Sequence, residues 1–350
     1  MPVIAGVQTA VPPYRVDQNT VEQFVRGHFG KRFGDIERLL PIFTNSGIAT
    51  RYFSQPIDWL ATPHDLAEKN SAYISAATEL GERAARKLFD QCKIDPEQID
   101  YIIYVNTTGL ATPSIDARLI NKLGLRPTVR RTPIWGLGCA GGAAGLSHAY
   151  HHLLGHPDQR VLLVAAELCG LTFMPDDFSK SNLVASALFG EGGAAVLLCG
   201  DEVASPGLEI MGTRSRFFPD SLDVMGWNVV SHGLQVVFAQ RIPDIVAAHA
   251  AEDFGEFLAE HRLTLSDVAV YLLHPGGRKV LEAYEQALDL HNGELALGAE
   301  ILRDYGNMSS VTVLFVLERF LQKRNDRSRG IGLISALGPG FCSESMMVRV

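Results

Sequence analysis

Short apolar runs alternate along the chain with longer stretches in which apolar residues recur every three or four positions. Residues 3–7, 99–105, 129–135, 161–166, 193–198, 268–273, 331–336 and 346–350 read as strands. Several are apolar throughout, as in strands covered on both faces. The helical spacing predicts helices over 17–28, opened by Asp17, and over 35–43, 62–92, 114–123, 139–154, 244–261, 277–288, 295–304 and 307–323. Buried strands alternating with helices imply an α/β layered fold. Residues 132–157 carry no formal charge and are long enough to cross a membrane. The stretch opens with Pro133, contains Gly136, Gly138, Gly141, Gly142 and Gly145, and ends among His148, His151, His152 and His156. A buried strand, a glycine turn and a core helix fit those breaks better than a span.

The pattern also repeats. Residues 99–105 resemble 268–274 at an offset of 169, and 161–167 resemble 331–337 at an offset of 170. Between them, Leu137-Gly-Cys-Ala-Gly-Gly and Tyr305-Gly-Asn-Met-Ser-Ser each open a helix, 168 positions apart. Two similar halves, meeting near residues 200–210, follow from this order.

Cys139 lies at the strand-to-helix junction 135–145, among glycines that permit a tight turn and close approach of a ligand. A helix N-terminus favours thiolate there. A buried, inert cysteine beside a glycine-rich packing surface fits the same residues. His274 ends a strand, where α/β sheets place their sites, yet a lone histidine there can be purely structural. Asn307 begins a helix and can be simply its cap. Under the repeat, Asn307 mirrors Cys139 and His274 ends the strand before it, so all three converge where the halves meet. A thiol, an imidazole and an amide together suit acyl transfer.

Composition narrows the alternatives. The 350 residues are 47% apolar with a net charge of −8, which gives no electrostatic footprint for nucleic acid or an anionic membrane. An anionic substrate would need a local basic patch. Cys92, Cys139, Cys169, Cys199 and Cys342 show neither metal-ligand spacing nor a disulfide framework, so a reducing, cytoplasmic setting is expected. The N-terminal residues carry no signal-peptide pattern. His148 and His152 share a helix face, but no carboxylate or thiol accompanies them, and a helix surface is the expected reading. Neither Gly190-Glu-Gly-Gly193 nor Gly338-Pro-Gly340 matches a phosphate-binding loop.

Residues 136–142, Ala187-Leu-Phe-Gly-Glu-Gly192, Leu273-His-Pro-Gly-Gly277, Tyr305-Gly-Asn-Met-Ser309 and Gly338-Pro-Gly340 together resemble the type III polyketide synthases, the chalcone synthase-like branch of the thiolase superfamily. The likeness runs nearly end to end and is strongest to bacterial enzymes that make alkylpyrones or alkylresorcinols from fatty acyl-CoA. It implies a duplicated αβαβα fold with two mixed five-stranded sheets and buried helices between them. Residues 1–205 would carry the nucleophile Cys139, and residues 206–350 its partners His274 and Asn307. It implies Phe189 at the mouth between a CoA tunnel and the cavity, with Val236 replacing a second aromatic and widening the space. Thr172, Gly338, Pro339 and Gly340 would also face substrate. Thr112, before a cis Pro113, would reach the cavity of a second subunit in a homodimer. Arg51 is the candidate for the CoA phosphates.

The implied chemistry needs no metal or cofactor. A Cys139 thiolate, favoured by histidinium, takes the starter from acyl-CoA; malonyl-CoA then loses CO2, and the enolate, held by His274 and Asn307, attacks the thioester. Lactonisation or aldol closure ends the sequence. An initiating ketoacyl synthase shares the three residues, but its histidine usually stands in His-Gln-Ala-Asn, whereas this chain has His274-Pro-Gly-Gly277. A hydroxymethylglutaryl-CoA synthase needs a further glutamate, for which Glu167 and Glu191 are weak candidates. A non-catalytic acyl-binding scaffold has no need of a nucleophile.

Overall fold

A computed structural model of the chain describes residues 1–30, 36–325 and 329–350. The strands are β1 (Val3–Ala10), β2 (Tyr14–Asp17), β3 (Thr50–Phe53), β4 (Tyr101–Asn106), β5 (Arg130–Trp135), β6 (Arg160–Leu168), β7 (Glu191–Cys199), β8 (Leu208–Phe217), β9 (Met225–Val230), β10 (Gly233–Phe238), β11 (Val268–Leu273), β12 (Ile331–Gly338) and β13 (Cys342–Arg349). The helices are α1 (Gln18–Phe29), α2 (Pro41–Asn45), α3 (Ile57–Leu60), α4 (Leu66–Cys92), α5 (Ile115–Leu123), α6 (Gly141–Gly155), α7 (Lys180–Leu188), α8 (Ile242–Glu260), α9 (Arg278–Leu288), α10 (Ala296–Tyr305) and α11 (Thr312–Lys323).

The repeat seen in the sequence is a repeat of topology. The order β4-β6-β7-β1 recurs as β11-β12-β13-β8. In each set the first pair is parallel and the next two are antiparallel. Helices α6 and α11 lie at the centre, their apolar side chains packed against Val105 and Leu163 of one half and Leu272 and Ile334 of the other. The opposite face of the first half is covered by α4 and α5, and that of the second by α8 and α9. Helix, sheet, helix, sheet, helix is the layering expected.

The sheets themselves differ from expectation. One continuous sheet of nine strands replaces two sheets of five. β1 and β8, each the last strand of its half, pair antiparallel at Val3–Glu209 and Ile4–Leu208. That pairing satisfies backbone groups which two separate edges would leave open. Among the described residues the second half contributes four strands to the sheet, with no counterpart of β5.

The helix expected over 35–43 breaks into a turn at Ile36–Arg38 and the short α2. Pro41 opens α2 and cannot continue a preceding helix, while Asp35 lies outside the described residues. β8 went unread because its outer half alternates Thr213 and Ser215 with Arg214 and Arg216. Those arginines pair with Glu252, Glu256 and Glu260 on α8. The β9–β10 hairpin, the β2–β3 ribbon and α7 were also not anticipated. Among the described residues no helix is long and apolar enough to cross a membrane.

Candidate active site

Cys139 sits in a single turn, Gly138–Ala140, that leads into α6. Gly138 makes the turn possible: its φ is +48°, and a Cβ there would lie 2.5 Å from Cδ of Pro339. Its N–H donates to Oγ1 of Thr107 at 2.9 Å. In the first turn of α6, a Cβ on Gly142 would lie 2.2 Å from the carbonyl oxygen of Ser310, at the start of α11. Glycine therefore lets the two helix starts touch, and the contact brings Cys139 to Asn307. The Sγ–Oδ1 distance is 3.9 Å, with the thiol as donor.

Asn307 is held on every side. Its N–H donates to the Leu188 carbonyl at 2.9 Å, and its carbonyl accepts from Gly190 N–H at 2.8 Å. Its Oδ1 accepts from Ser309 N–H at 2.8 Å, and Nδ2 donates to the Gly276 carbonyl at 3.0 Å. The capping role weighed for this residue is thus partly real, since Oδ1 does bind a backbone N–H two residues on. With the amide so oriented, Oδ1 faces the sulfur, and an amide nitrogen with one bond made retains a second proton to donate. Ser309 carries a φ of +51°, a strained conformation for a residue with a side chain.

His274 follows β11, with its N–H on the Ser335 carbonyl at 2.8 Å. Gly276, which holds Asn307, is two residues on. The ring is buried, and neither Nδ1 nor Nε2 has a hydrogen-bond partner. Two orphaned nitrogens on one buried ring are costly unless a ligand uses them. Burial pushes the imidazole down to about 4 and the Cys139 thiol up to about 12. Burial thus works against the thiolate and histidinium expected from the sequence and favours the neutral form of each group.

A cleft of about 340 Å³ lies over Cys139, walled by Phe189, Trp227, Val236, Phe238, Ser309 and Pro339. Gly338 and Gly340 flank Pro339 and allow that wall to approach; a Cβ on Gly338 would lie 2.3 Å from the Leu137 carbonyl oxygen. Phe189 ends α7 with Trp227 and Phe238 beside it, ring centres 6.0 and 6.4 Å away. The aromatic character expected to be lost at Val236 is therefore supplied by Trp227, its partner across the β9–β10 hairpin. Sequence reading missed both rings, whose only signal was alternation on either side of Gly233.

Phe189 and Val236 also belong to a second chamber, partly open to solvent, that Phe24, Phe53, Leu60, Arg51, Thr172 and Phe173 help to line. The Thr172 hydroxyl is turned away, donating to the Cys169 carbonyl at 2.7 Å. The Thr112–Pro113 peptide is cis, as expected, but Thr112 is exposed and lines neither space of its own chain.

Arg51 is a correction. Its side chain is buried, with Nη1 donating to the carbonyls of Ser186 (2.6 Å) and Phe189 (2.9 Å) and Nη2 to Oε1 of Gln18 (2.7 Å). It neutralises the carbonyl end of α7 and fixes the backbone of Phe189; a phosphate at the surface is out of its reach.

Glu167 is fully buried, and its four acceptor bonds run to Thr107 N–H, Thr108 N–H, Thr108 Oγ1 and Ser310 Oγ, at 2.6–3.1 Å. It ties the halves together behind Cys139. Glu191 accepts from Ser54 N–H at 2.5 Å, and burial pushes its carboxyl up to about 7. Among the described residues no group of three or more potential ligands is placed to hold a metal ion.

Two family models match the chain: the N-terminal domain of chalcone and stilbene synthases over residues 2–202, and their C-terminal domain over 209–350. The chain belongs to the chalcone and stilbene synthase family. A putative chalcone synthase of Bacillus subtilis is 42% identical, covering 99% of this chain and 98% of the relative. The crystal structure of 1,3,6,8-tetrahydroxynaphthalene synthase from Streptomyces coelicolor, a bacterial type III polyketide synthase, superposes with a TM-score of 0.92 at 26% identity over 99% of each chain. CsyB complexed with CoA-SH superposes with a TM-score of 0.90 at 25% identity over the whole of both chains. The chain is accordingly a type III polyketide synthase, an acyltransferase, and the ketoacyl-synthase and scaffold readings fall away.

Proposed function

We propose that this synthase extends a long-chain fatty acyl starter, taken from acyl-CoA onto Cys139, by successive decarboxylative condensations with malonyl-CoA, and releases an alkylpyrone or alkylresorcinol. The observation that carries the reading is the second chamber. It shares Phe189 and Val236 with the cleft over Cys139, and the surface it presents is mostly apolar. An alkyl chain gains by leaving water for such a surface, and a small starter such as acetyl would leave it empty. The CoA complex of CsyB supports CoA thioesters as the substrates.

The chemistry follows from the groups present. The Cys139 thiol adds to the acyl carbonyl as His274 accepts its proton; the tetrahedral centre collapses, and CoA leaves with that proton. His274 is then neutral again, with one N–H to donate. When malonyl-CoA loses CO2, the electron pair of the broken C–C bond passes into the thioester as an enolate. The His274 N–H and the remaining Asn307 Nδ2 proton hold its oxygen. Each such donor in a site with little water contributes about 3 kcal/mol to the rate. The enolate carbon attacks the acyl-Cys139 carbonyl, the thiolate leaves, and the chain grows by two carbons. Chain release by lactonisation gives the pyrone, and aldol closure gives the phenolic ring.

Product analysis tests the reading. With palmitoyl-CoA and malonyl-CoA, products should be heavier than the starter by successive two-carbon ketide units and should form faster than with acetyl-CoA. Turnover of acetyl-CoA or malonyl-CoA alone, with palmitoyl-CoA inert, would overturn the long-chain assignment.

A further inference from the structure

The second chamber shares part of its lining with the cleft over Cys139 and has part of its own. Phe189 and Val236 are shared with the cleft over Cys139. Phe24 of α1 and Phe173 belong to the chamber alone, and their rings meet edge to face with centres 5.9 Å apart. Phe173 is not free to swing away. The segment that carries it is pinned by Lys69 Nζ on the Phe173 carbonyl (2.8 Å), His28 Nε2 on the Pro175 carbonyl (2.6 Å) and Asn182 Nδ2 on the Met174 carbonyl (2.8 Å). Phe24 leans on this fixed segment, with the His28 ring stacked behind it at 5.4 Å.

The polar side chains of the wall are turned outward. Asn182 and Ser186 donate to backbone carbonyls, as do the Thr172 hydroxyl and the Nη1 group of Arg51. What faces the space is mostly carbon, with the rings of Phe24 and Phe173 in the part not shared with the Cys139 cleft. Such walls suit an unbranched hydrocarbon.

Resting on the long-chain reading, we propose that Phe24, backed by Phe173, sets the length of the starter: the terminal methyl group of the acyl chain stops against the Phe24 ring. Phe24→Ala lengthens the chamber and Phe24→Trp shortens it. Phe24 is only half-buried on the outer helix α1, so both variants leave the strands and helices around Cys139 untouched.

The test is acyl loading with malonyl-CoA absent. Wild type and both variants receive an equimolar mixture of saturated acyl-CoAs from octanoyl to stearoyl, and the adducts on Cys139 are ranked by intact-protein mass spectrometry. The preferred chain should move longer in Phe24→Ala and shorter in Phe24→Trp, by roughly fourfold in relative loading for each methylene gained or lost. Loading that falls equally for all chains, or a ranking unchanged in both variants, overturns the ruler and leaves the long-chain reading standing. Wild type that loads no chain of this series overturns the long-chain reading itself. If Phe24→Ala does not fold, as judged by circular dichroism, the Phe24→Trp ranking decides.

Discussion

At the scale of single residues, burial controls the chemistry. Burial works against the charged form of both Cys139 and His274. The His274 shift has a consequence for stability. A buried imidazole pushed down from 6.5 to about 4 favours the folded state while neutral, and that contribution is complete above pH 6.5. Between pH 6.5 and 4 the unfolded chain binds the proton and the folded chain does not, so stability falls with pH. Wild type should lose about 3 kcal/mol more over this interval than His274→Gln. Urea unfolding at several pH values measures it, and parallel curves for the two proteins would contradict the assignment. The candidate residues Cys139, His274 and Asn307 were legible because Cys139 and His274 each follow a strand, Asn307 opens the turn before α11, and the repeat superposed Cys139 on Asn307. Arg51 was misread because charge in a sequence suggests a surface. Its three hydrogen bonds go to groups at 18, 186 and 189, and no local pattern announces those partners.

At the scale of elements, the long buried strands and the amphipathic helices declared themselves by period. β8, the β9–β10 hairpin and α7 did not, because their burial depends on distant partners: α8 for the arginines of β8, and Phe189 for the hairpin. The hairpin matters most, since it supplies Trp227, Val236 and Phe238 to the roof over Cys139. β5 carries a different consequence. It is the end strand of the sheet, with one side unpaired. Trp135 at its end and nearby Leu110 are each 44% exposed, joined by the Trp135 indole N–H on the Gly109 carbonyl at 3.1 Å. An open edge beside exposed apolar side chains invites pairing. We propose that a second copy pairs here and brings Thr112, idle in its own chain, to its neighbour's cavity. Light scattering should give twice the chain's 38.2 kDa, and Trp135→Lys should shift it toward the single-chain mass. A wild-type monomer at micromolar concentration would contradict the pairing.

At the scale of the whole molecule, duplication explains why a site exists where it does. Two copies of one layered unit bury α6 and α11 against each other, and glycine at 142 lets their starts meet. The halves also join at β1–β8 and through Phe189 and Asn307, whose backbones are tied as a short parallel bridge. Phe189 from one half and the Asn307 amide from the other are therefore tied together through their backbones. The repeat was legible as equal offsets in the sequence; the fusion of two sheets into one was not, since it depends on edge pairing rather than on period. The most direct measurement is intact-protein mass spectrometry of wild type and Cys139→Ala after mixing with palmitoyl-CoA. The mechanism predicts one palmitoyl adduct on wild type, mapped to Cys139, and none on the variant. An adduct on another residue, or one that persists in Cys139→Ala, would contradict it.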